Sequence, residues 1–239
     1  MQYFAEEPRV LEGFKPLGDE INHFRHIRVT LTDISELRTK INLVRNYEPP
    51  VARKAKLREQ RNAGVIDEDA YDEAVVALSR VQPSETFDYQ GQRLHIMHLA
   101  AHYFLPLLVS DAEKLDYINH VIRTPSERRF INQLETYLKE GDNLFTQYDW
   151  WLFSRTDETL DRVVLPYYDG SQGRMRSFHP DFVFWLVKGQ EYTILFVDPK
   201  GMEVGQNCQY KIDGYREHFR DDTGYRVFTR GDYQVRVAL

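Results

Sequence analysis

The sequence has little of several features that would assign a protein class at once. Its 239 residues contain one cysteine, Cys208, which excludes an internal disulfide and a zinc site built from several cysteines, and which fits a reducing compartment. It contains no run of about 18 apolar residues, and residues 1–10 lack the basic and then apolar layout of a secretory signal. We therefore expect a cytoplasmic protein.

Common nucleotide-binding and hydrolase motifs are also missing. No P-loop, GxGxxG or GxSxG pattern occurs, so neither ATP hydrolysis nor serine-based chemistry is expected. His95, His98 and His102 share a helical stripe and raise the alternative of a zinc or haem site. Because no HExxH pattern and no convergent cysteine or aspartate accompanies them, we interpret them as packing or surface residues.

A net positive charge is lacking as well. The formal net charge is −6, which argues against a uniformly basic nucleic-acid binder, because affinity for phosphates comes mostly from clustered Lys and Arg. Two local clusters remain, RKAKLREQR at residues 53–61 and RMR at residues 174–176. Each either contacts nucleic acid or forms an ordinary solvated surface, and the sequence leaves both interpretations open.

The first half of the chain is predicted to be an α-rich accessory region over residues 1–122. Helical periodicity covers about residues 32–46, 51–62 and 67–80, and a strand-like segment, TFDYQGQRLHI, follows. The apolar stretch from about residue 97 to 122 favours a buried pair of helices around Pro106.

The character of the sequence changes at Thr124, and residues 123–239 are predicted to form a second domain. Thr124 or Ser126 can cap a helix that runs to about Gly141. Several β-rich segments follow, then a helix over about residues 203–219 and two further strands. This pattern predicts an α/β domain with helices flanking a central sheet.

A β-hairpin near residue 190 places charged side chains opposite each other. If residues 188–191 form its loop, Val187 faces Tyr192 and, further along the ladder, Asp181 faces Asp198. Lys200 lies two residues beyond Asp198, so it projects from the same face of the sheet. The opposite face carries apolar residues that must pack on another layer: Phe182, Phe184, Leu186, Leu195 and Val197.

Two carboxylates directly opposite each other on a sheet destabilise it unless a cation neutralises them. Aspartate oxygens, with a backbone carbonyl, match a hard ion such as Mg²⁺ or Mn²⁺ better than Zn²⁺. The ammonium group of Lys200 beside such an ion would orient a water molecule and favour its deprotonation. The spacing of Asp181, Asp198 and Lys200 therefore predicts a metal-dependent hydrolytic site.

The segments HPDFVFWLV and ILFVDPKG resemble the motif of the PD-(D/E)xK nuclease superfamily. With TPSERRFINQLETYL before them and LPYYDG between, they are similar to the C-terminal endonuclease domain of type III restriction enzymes and related helicase-nuclease proteins. The resemblance covers about residues 123–219. It implies a restriction-endonuclease-like core, a central mixed β-sheet flanked by helices in the order αβββαβ. One departure is Pro199, which removes a backbone donor at the strand end.

The resemblance also implies roles for individual residues. Asp181 and Asp198 would be ligands of Mg²⁺, with Mn²⁺ able to substitute, and Lys200 the catalytic cation. Glu127 would be the carboxylate supplied by the preceding helix, with Glu135 as the fallback; a stabilising acid in the first helical turn is the alternative interpretation of Glu127. The candidates for nucleic-acid contact are Arg174, Arg176, His179, Gln206 and Lys211.

The implied function is a Mg²⁺-dependent endonuclease that hydrolyses phosphodiester bonds in double-stranded DNA. Relatives carry a helicase or ATPase motor on the same chain or in the same complex, which implies a bacterial restriction or anti-phage system and leaves room for a homodimer. The alternative is an assembly module that binds DNA or protein and in which cleavage is minor.

Overall fold

The chain has a mixed α/β fold, described here from a computed structural model. The structure describes residues 34–45, 47–48, 50–78, 84–99, 107–112, 115, 117–118, 121–156, 163–200 and 207–239. Five α-helices and a mixed central sheet lie in these ranges. None of the helices in them is both long and apolar enough to cross a bilayer. Two compact units are present, one over Leu31–Arg123 and one that includes Thr124–Leu239.

The Leu31–Arg123 unit combines three helices with a three-stranded antiparallel sheet. The helices are α1 (Ser35–Arg45), α2 (Pro50–Asn62) and α3 (Glu68–Leu78), and the strands are β1 (Ser84–Tyr89), β2 (Gln92–Met97) and β3 (Leu107–Ser110). Helix α1 buries Leu37, Ile41 and Val44 in a core shared with the sheet. These three residues recur at helical spacing, so the periodicity that predicted this helix also marks its buried face.

The prediction of a helix pair over residues 97–122 is wrong where the structure describes it. Residues 107–110 form β3, which pairs with β2, and Val109 bridges Ile122. A short, continuous apolar run suits a buried strand as well as a buried helix, so periodicity alone did not distinguish them. His95 lies within β2 and His98 just beyond it, so the two do not share a helical stripe; Pro106 and His102 fall outside the described residues.

Helix α2 carries the first basic cluster and buries none of its residues. It lies against α3, where Arg61 contacts Glu68 at 3.0 Å and its guanidinium lies 4.6 Å from the centre of the Tyr71 ring. The basic helix is thus held by its acidic neighbour, and most of its cations remain exposed.

The Thr124–Leu239 unit is built on a five-stranded mixed sheet. Its helices are α4 (Pro125–Leu138), a 3-10 helix (Leu144–Gln147) and α5 (Cys208–Phe219). The sheet contains β4 (Trp150–Arg155), β7 (Phe182–Lys188), β8 (Glu191–Val197), β11 (Phe228–Arg230) and β12 (Tyr233–Ala238). Their order is β11-β12-β8-β7-β4, with β12 parallel to β8 and the other neighbours antiparallel.

Strand β7 lies between β8 and the edge strand β4 and is buried along its length except at Lys188. Phe130 of α4 packs on Phe182 and Phe184, with ring centres 5.1 and 6.4 Å apart. Phe145 of the 3-10 helix lies 5.8 Å from Phe184. Apolar packing on this scale fixes the strand firmly, so the residues at its ends are held in place.

Two short two-stranded sheets accompany the central one. Strands β5 (Leu165–Asp169) and β6 (Arg174–Phe178) form a hairpin, and β9 (Arg220–Asp221) pairs with β10 (Gly224–Tyr225). The β5–β6 hairpin packs against α5 at Gly214, where an added Cβ would lie 2.5 Å from the Cβ of Tyr167 and 2.8 Å from the carbonyl oxygen of Pro166. Glycine is therefore required for this close approach.

Replacement of Gly214 with alanine is expected to destabilise the protein by about 1–2 kcal/mol, because overpacking outweighs the gain of about 1 kcal/mol in helix propensity. Urea denaturation followed by circular dichroism measures the change. Gly141→Ala is the matched control, since no atom lies within 4 Å of the Cβ it would add. Equal stability of the two variants would show that the hairpin moves away from α5 without loss.

Candidate active site

The β7–β8 hairpin has the register expected from the sequence. Val187 pairs with Tyr192, Trp185 with Ile194 and Val183 with Phe196. The ladder also joins Lys188 to Glu191, so the turn consists of Gly189 and Gln190 alone, and Gly189 adopts a positive φ of 58°. The loop is shorter than predicted, but the register is the same. It brings Asp181 and Asp198 to the same end of the hairpin.

Asp181 is held in place by the neighbouring strand. The Thr156 backbone N–H, just past β4, donates to the Asp181 carbonyl oxygen at 2.9 Å, and the Thr156 hydroxyl donates to the carbonyl oxygen of Pro180. The Asp181 side chain is 17% exposed, and its Oδ2 is buried without a hydrogen-bond partner. A buried carboxylate oxygen without a donor is costly, which makes it a position for a proton or a cation.

Two lysines and two aspartates converge at this end of the hairpin. Lys200 Nζ lies 3.7 Å from Asp181 Oδ1, and Lys211 Nζ of α5 lies 3.6 Å from Asp198 Oδ2. The backbone N–H of Lys200 also donates to Asp198 Oδ1 at 3.1 Å, which fixes the turn after β8. Asp181, Asp198 and Lys200 belong to the predicted catalytic site, and Lys211 was predicted as a candidate for nucleic-acid contact. The ion pair between Lys211 and Asp198 is new.

The electrostatic environment raises the pKa of Asp181 to about 6. Burial is the largest cause, the negative charge of Asp198 is the second and that of Glu127 the third. The two aspartates are close enough for a hydrogen bond between them to raise the pKa further, whereas Lys200 lowers it. Asp181 therefore gains more from a nearby positive charge than an exposed aspartate does.

Glu127 occupies the first turn of α4 and is 2% exposed. Its Oε2 accepts from Arg155 Nε at 3.1 Å, so it forms an ion pair with the guanidinium at the end of β4. Glu127 still contributes to the field at Asp181. The fallback residue, Glu135, instead pairs with Lys139 at 3.2 Å along α4.

Asp181 and Asp198 are the residues that could hold a divalent cation here. Across the ranges that the structure describes, no group of three or more His, Cys, Asp or Glu side chains is arranged around one point. Two adjacent carboxylates, one of them with an unpartnered buried oxygen, nevertheless fit a hard cation that completes its shell with water and backbone carbonyls. The donor set is entirely oxygen and does not suit zinc.

The predicted nucleic-acid contacts are distributed unevenly. Arg176 and Lys211 line a cavity of about 1050 Å³ that also reaches Asp198 and Lys200. Arg174 is exposed and is not part of the lining, but it donates to Oε1 of Gln172, a lining residue, at 2.9 Å. His179 is half-buried with an unpartnered Nδ1. Gln206 lies outside the described residues.

Sequence reasoning missed the residues that β4 supplies. Thr156 and Arg155 hold Asp181 and Glu127 respectively, and both depend on the pairing of β4 with β7, in which Arg155 faces Phe182. The available signal was the polar pair formed by Arg155 and Thr156, which follows the apolar residues of β4. It does not fix the register, because a long connection that includes β5 and β6 separates β4 from β7.

A model of the YagJ family matches residues 118–234 of this chain. The matched segment runs from just before α4 into β12, so it contains the two aspartates, Lys200 and Glu127. No curated protein and no solved structure gives a match.

Proposed function

We propose that this protein is a Mg²⁺-dependent endonuclease that hydrolyses phosphodiester bonds in DNA. The observation that carries the proposal is the convergence of Asp181, Asp198 and Lys200 at the end of one hairpin, with a carboxylate whose buried oxygen lacks a partner. Two facing aspartates, of which Asp181 is buried and has a raised pKa, form a site that a cation would stabilise, and a lysine beside them is suited to hydrolysis of a phosphate ester.

The order of elements supports a restriction-endonuclease-like core. Along the chain, α4 precedes β4, β7 and β8, then α5 follows, and β12 returns parallel to β8. This order agrees with the αβββαβ pattern implied by the PD-(D/E)xK resemblance. The β5–β6 hairpin and the short strands β9 to β11 would be insertions between its elements.

The chain's own residues would act in the following way. Asp181 and Asp198 would hold Mg²⁺, or Mn²⁺ in its place, and the Lys200 ammonium would orient the attacking water and stabilise the negative charge that develops on its oxygen as the proton passes to bulk water. When bound, the ion polarises the scissile phosphate and lowers the pKa of its water. Lys211 would keep Asp198 in place, and Glu127, neutralised by Arg155, would act through the field rather than as a direct ligand.

By the same resemblance, we propose that the protein works with a helicase or ATPase motor in a bacterial restriction or anti-phage system, on double-stranded DNA. A homodimer would allow both strands to be cut. These assignments rest on the resemblance and on the site together.

The test is incubation of the full chain with plasmid and linear DNA in Mg²⁺, Mn²⁺ or EDTA. We expect cleavage with either ion and none in EDTA, because the two carboxylates cannot polarise a phosphate by themselves. Cleavage that continues in EDTA would contradict the metal-dependent assignment. Absence of cleavage under all conditions, with DNA or protein binding retained, would favour the assembly module instead.

A further inference from the structure

The cavity beside the site lies among the β5–β6 hairpin, the end of β8, α5 and the β9–β10 pair, and its volume is about 1050 Å³. We propose that it receives a single-stranded segment of the DNA substrate, such as an overhang or flap, and positions it beside Asp198 and Lys200. This inference rests on the proposed nuclease function and specifies the form of DNA that the site takes.

The charge of the cavity suits a phosphate backbone. Five basic side chains line it, whereas Asp198 is the one carboxylate side chain among the described lining residues; the five are Arg176, Lys200, Lys211, Arg216 and Arg220. This concentration is local, because the whole chain carries a net charge of −6. Phosphates are held by such clustered cations.

Several of these cations contact aspartates and still keep capacity for a ligand. Arg216 is 62% exposed and lies 3.9 Å from Asp213, and Arg176 is 38% exposed and 3.3 Å from the buried Asp169. A guanidinium group carries five N–H donors, so one contact of this kind leaves donors that face the cavity. The cavity wall is therefore both anchored and able to bind.

An exposed aromatic ring, that of Tyr225, is part of the cavity lining. Tyr225 is 40% exposed, and the guanidinium groups of Arg220 and Arg236 lie 4.3 and 5.8 Å from its ring centre. Tyr167, Phe178 and Tyr215 are buried and form apolar lining. The Arg220 guanidinium lies over one face of this ring, so an unpaired base would stack on the other face while the two guanidinium groups neutralise its phosphate.

The size of the cavity favours unpaired nucleotides over duplex. Its volume is at the upper end of the range of small-molecule sites, about 300–1000 Å³. A few nucleotides fit such a space, but a duplex does not, since its bases are paired and face inward between two backbones. An unpaired base is free to turn toward the Tyr225 ring, whereas a base within a duplex is held against its partner.

Fluorescence anisotropy in EDTA tests the proposal without cleavage. The full chain is titrated against a labelled blunt duplex and against the same duplex with a single-stranded overhang. We expect tighter binding of the overhang, and we expect Tyr225→Ala to weaken that binding on the order of ten-fold while Tyr225→Phe retains it. Tyr168→Ala is the matched control, because Tyr168 is 57% exposed on the β5–β6 hairpin and is not part of the cavity lining.

A second variant guards against a local folding defect at Tyr225. Arg216→Ala removes an exposed cation from α5 and should weaken binding of the overhang several-fold, with a shallower dependence on salt concentration. Equal binding of the two probes, or equal losses in the Tyr225 and Tyr168 variants, would overturn the proposal. The proposal would also be overturned if neither Tyr225→Ala nor Arg216→Ala weakened binding of the overhang.

Different results would contradict the proposed role of the cavity and the proposed nuclease function. Cleavage of blunt duplex in Mg²⁺, with no preference for an overhang in binding or cleavage, would leave the nuclease function intact and remove the role of the cavity. Binding of the overhang through Tyr225, with no cleavage in any metal, would support the cavity and remove the nuclease function.

Discussion

Replacement of Asp198 with alanine or of Lys200 with methionine is expected to lower the rate of DNA cleavage by about 10³-fold or more, which corresponds to about 4 kcal/mol of transition-state stabilisation. Asp198→Ala removes one of two proposed cation ligands. Lys200→Met keeps the volume of the side chain and removes the ammonium group that lies 3.7 Å from Asp181. Initial rates on plasmid DNA in saturating Mg²⁺ measure both effects.

Loss of fold is not expected to explain these losses of activity. Asp198→Ala removes a negative charge that raises the pKa of Asp181, so it relieves repulsion within the site. Asp142→Asn, at an exposed position after α4, is the control and should cleave as the unmodified protein does. If Asp198→Ala cleaves at an unchanged rate, the active site lies elsewhere in the chain.

Replacement of Asp181 with asparagine is expected to stabilise the metal-free protein at pH 7.5 by up to about 3 kcal/mol, although it should abolish cleavage. The pKa of Asp181 is raised from 3.8 to about 6, so the folded state binds its proton more tightly than the unfolded state does. The stability supplied by the protonated form is present below about pH 4 and is lost as the pH rises through 6. Asparagine is neutral at every pH, so the variant does not lose this stability as the pH rises.

Urea denaturation in EDTA at pH 4 and pH 7.5 checks this expectation. The two proteins should have similar stability at the lower pH, where Asp181 is protonated, and should differ at the higher pH, where it is charged. All other groups titrate alike in both proteins, so the difference reports on residue 181 alone. Asp142→Asn, which is exposed, should shift stability by less than about 0.5 kcal/mol at either pH. A less stable Asp181→Asn at pH 7.5 would mean that the ion pair with Lys200 outweighs burial and repulsion.

The part of the site that sequence alone predicted is the part that local pairing determines. Apolar strands on both sides of Gly189 predict a hairpin, and a turn centred on Gly189 and Gln190 sets the register that brings Asp181 and Asp198 together. A shift by one residue would have moved every side chain to the opposite face of the sheet. The expected loop length was wrong, but a symmetrical change in the turn leaves the pairing unaltered.

Residues brought in from distant segments could not be predicted in the same way. The pairing of Arg155 with Glu127 requires that α4 pack on the face of the sheet that carries Phe182, and the contact of Lys211 with Asp198 requires the placement of α5. The run that forms β3 was taken for a helix because nothing within it distinguishes the two. Tertiary packing decided each of these cases.

The position of β8 in the sheet also has a consequence for folding. Strand β8, which leads to Asp198, lies between β7 and β12, and its pairing with β7 needs only a two-residue turn. Its pairing with β12 is parallel and must wait for residues 233–238, and such non-local contacts form slowly. Until then β8 has an open edge that can associate with other chains, and the end of the hairpin that carries Asp181 and Asp198 becomes rigid only in a late step.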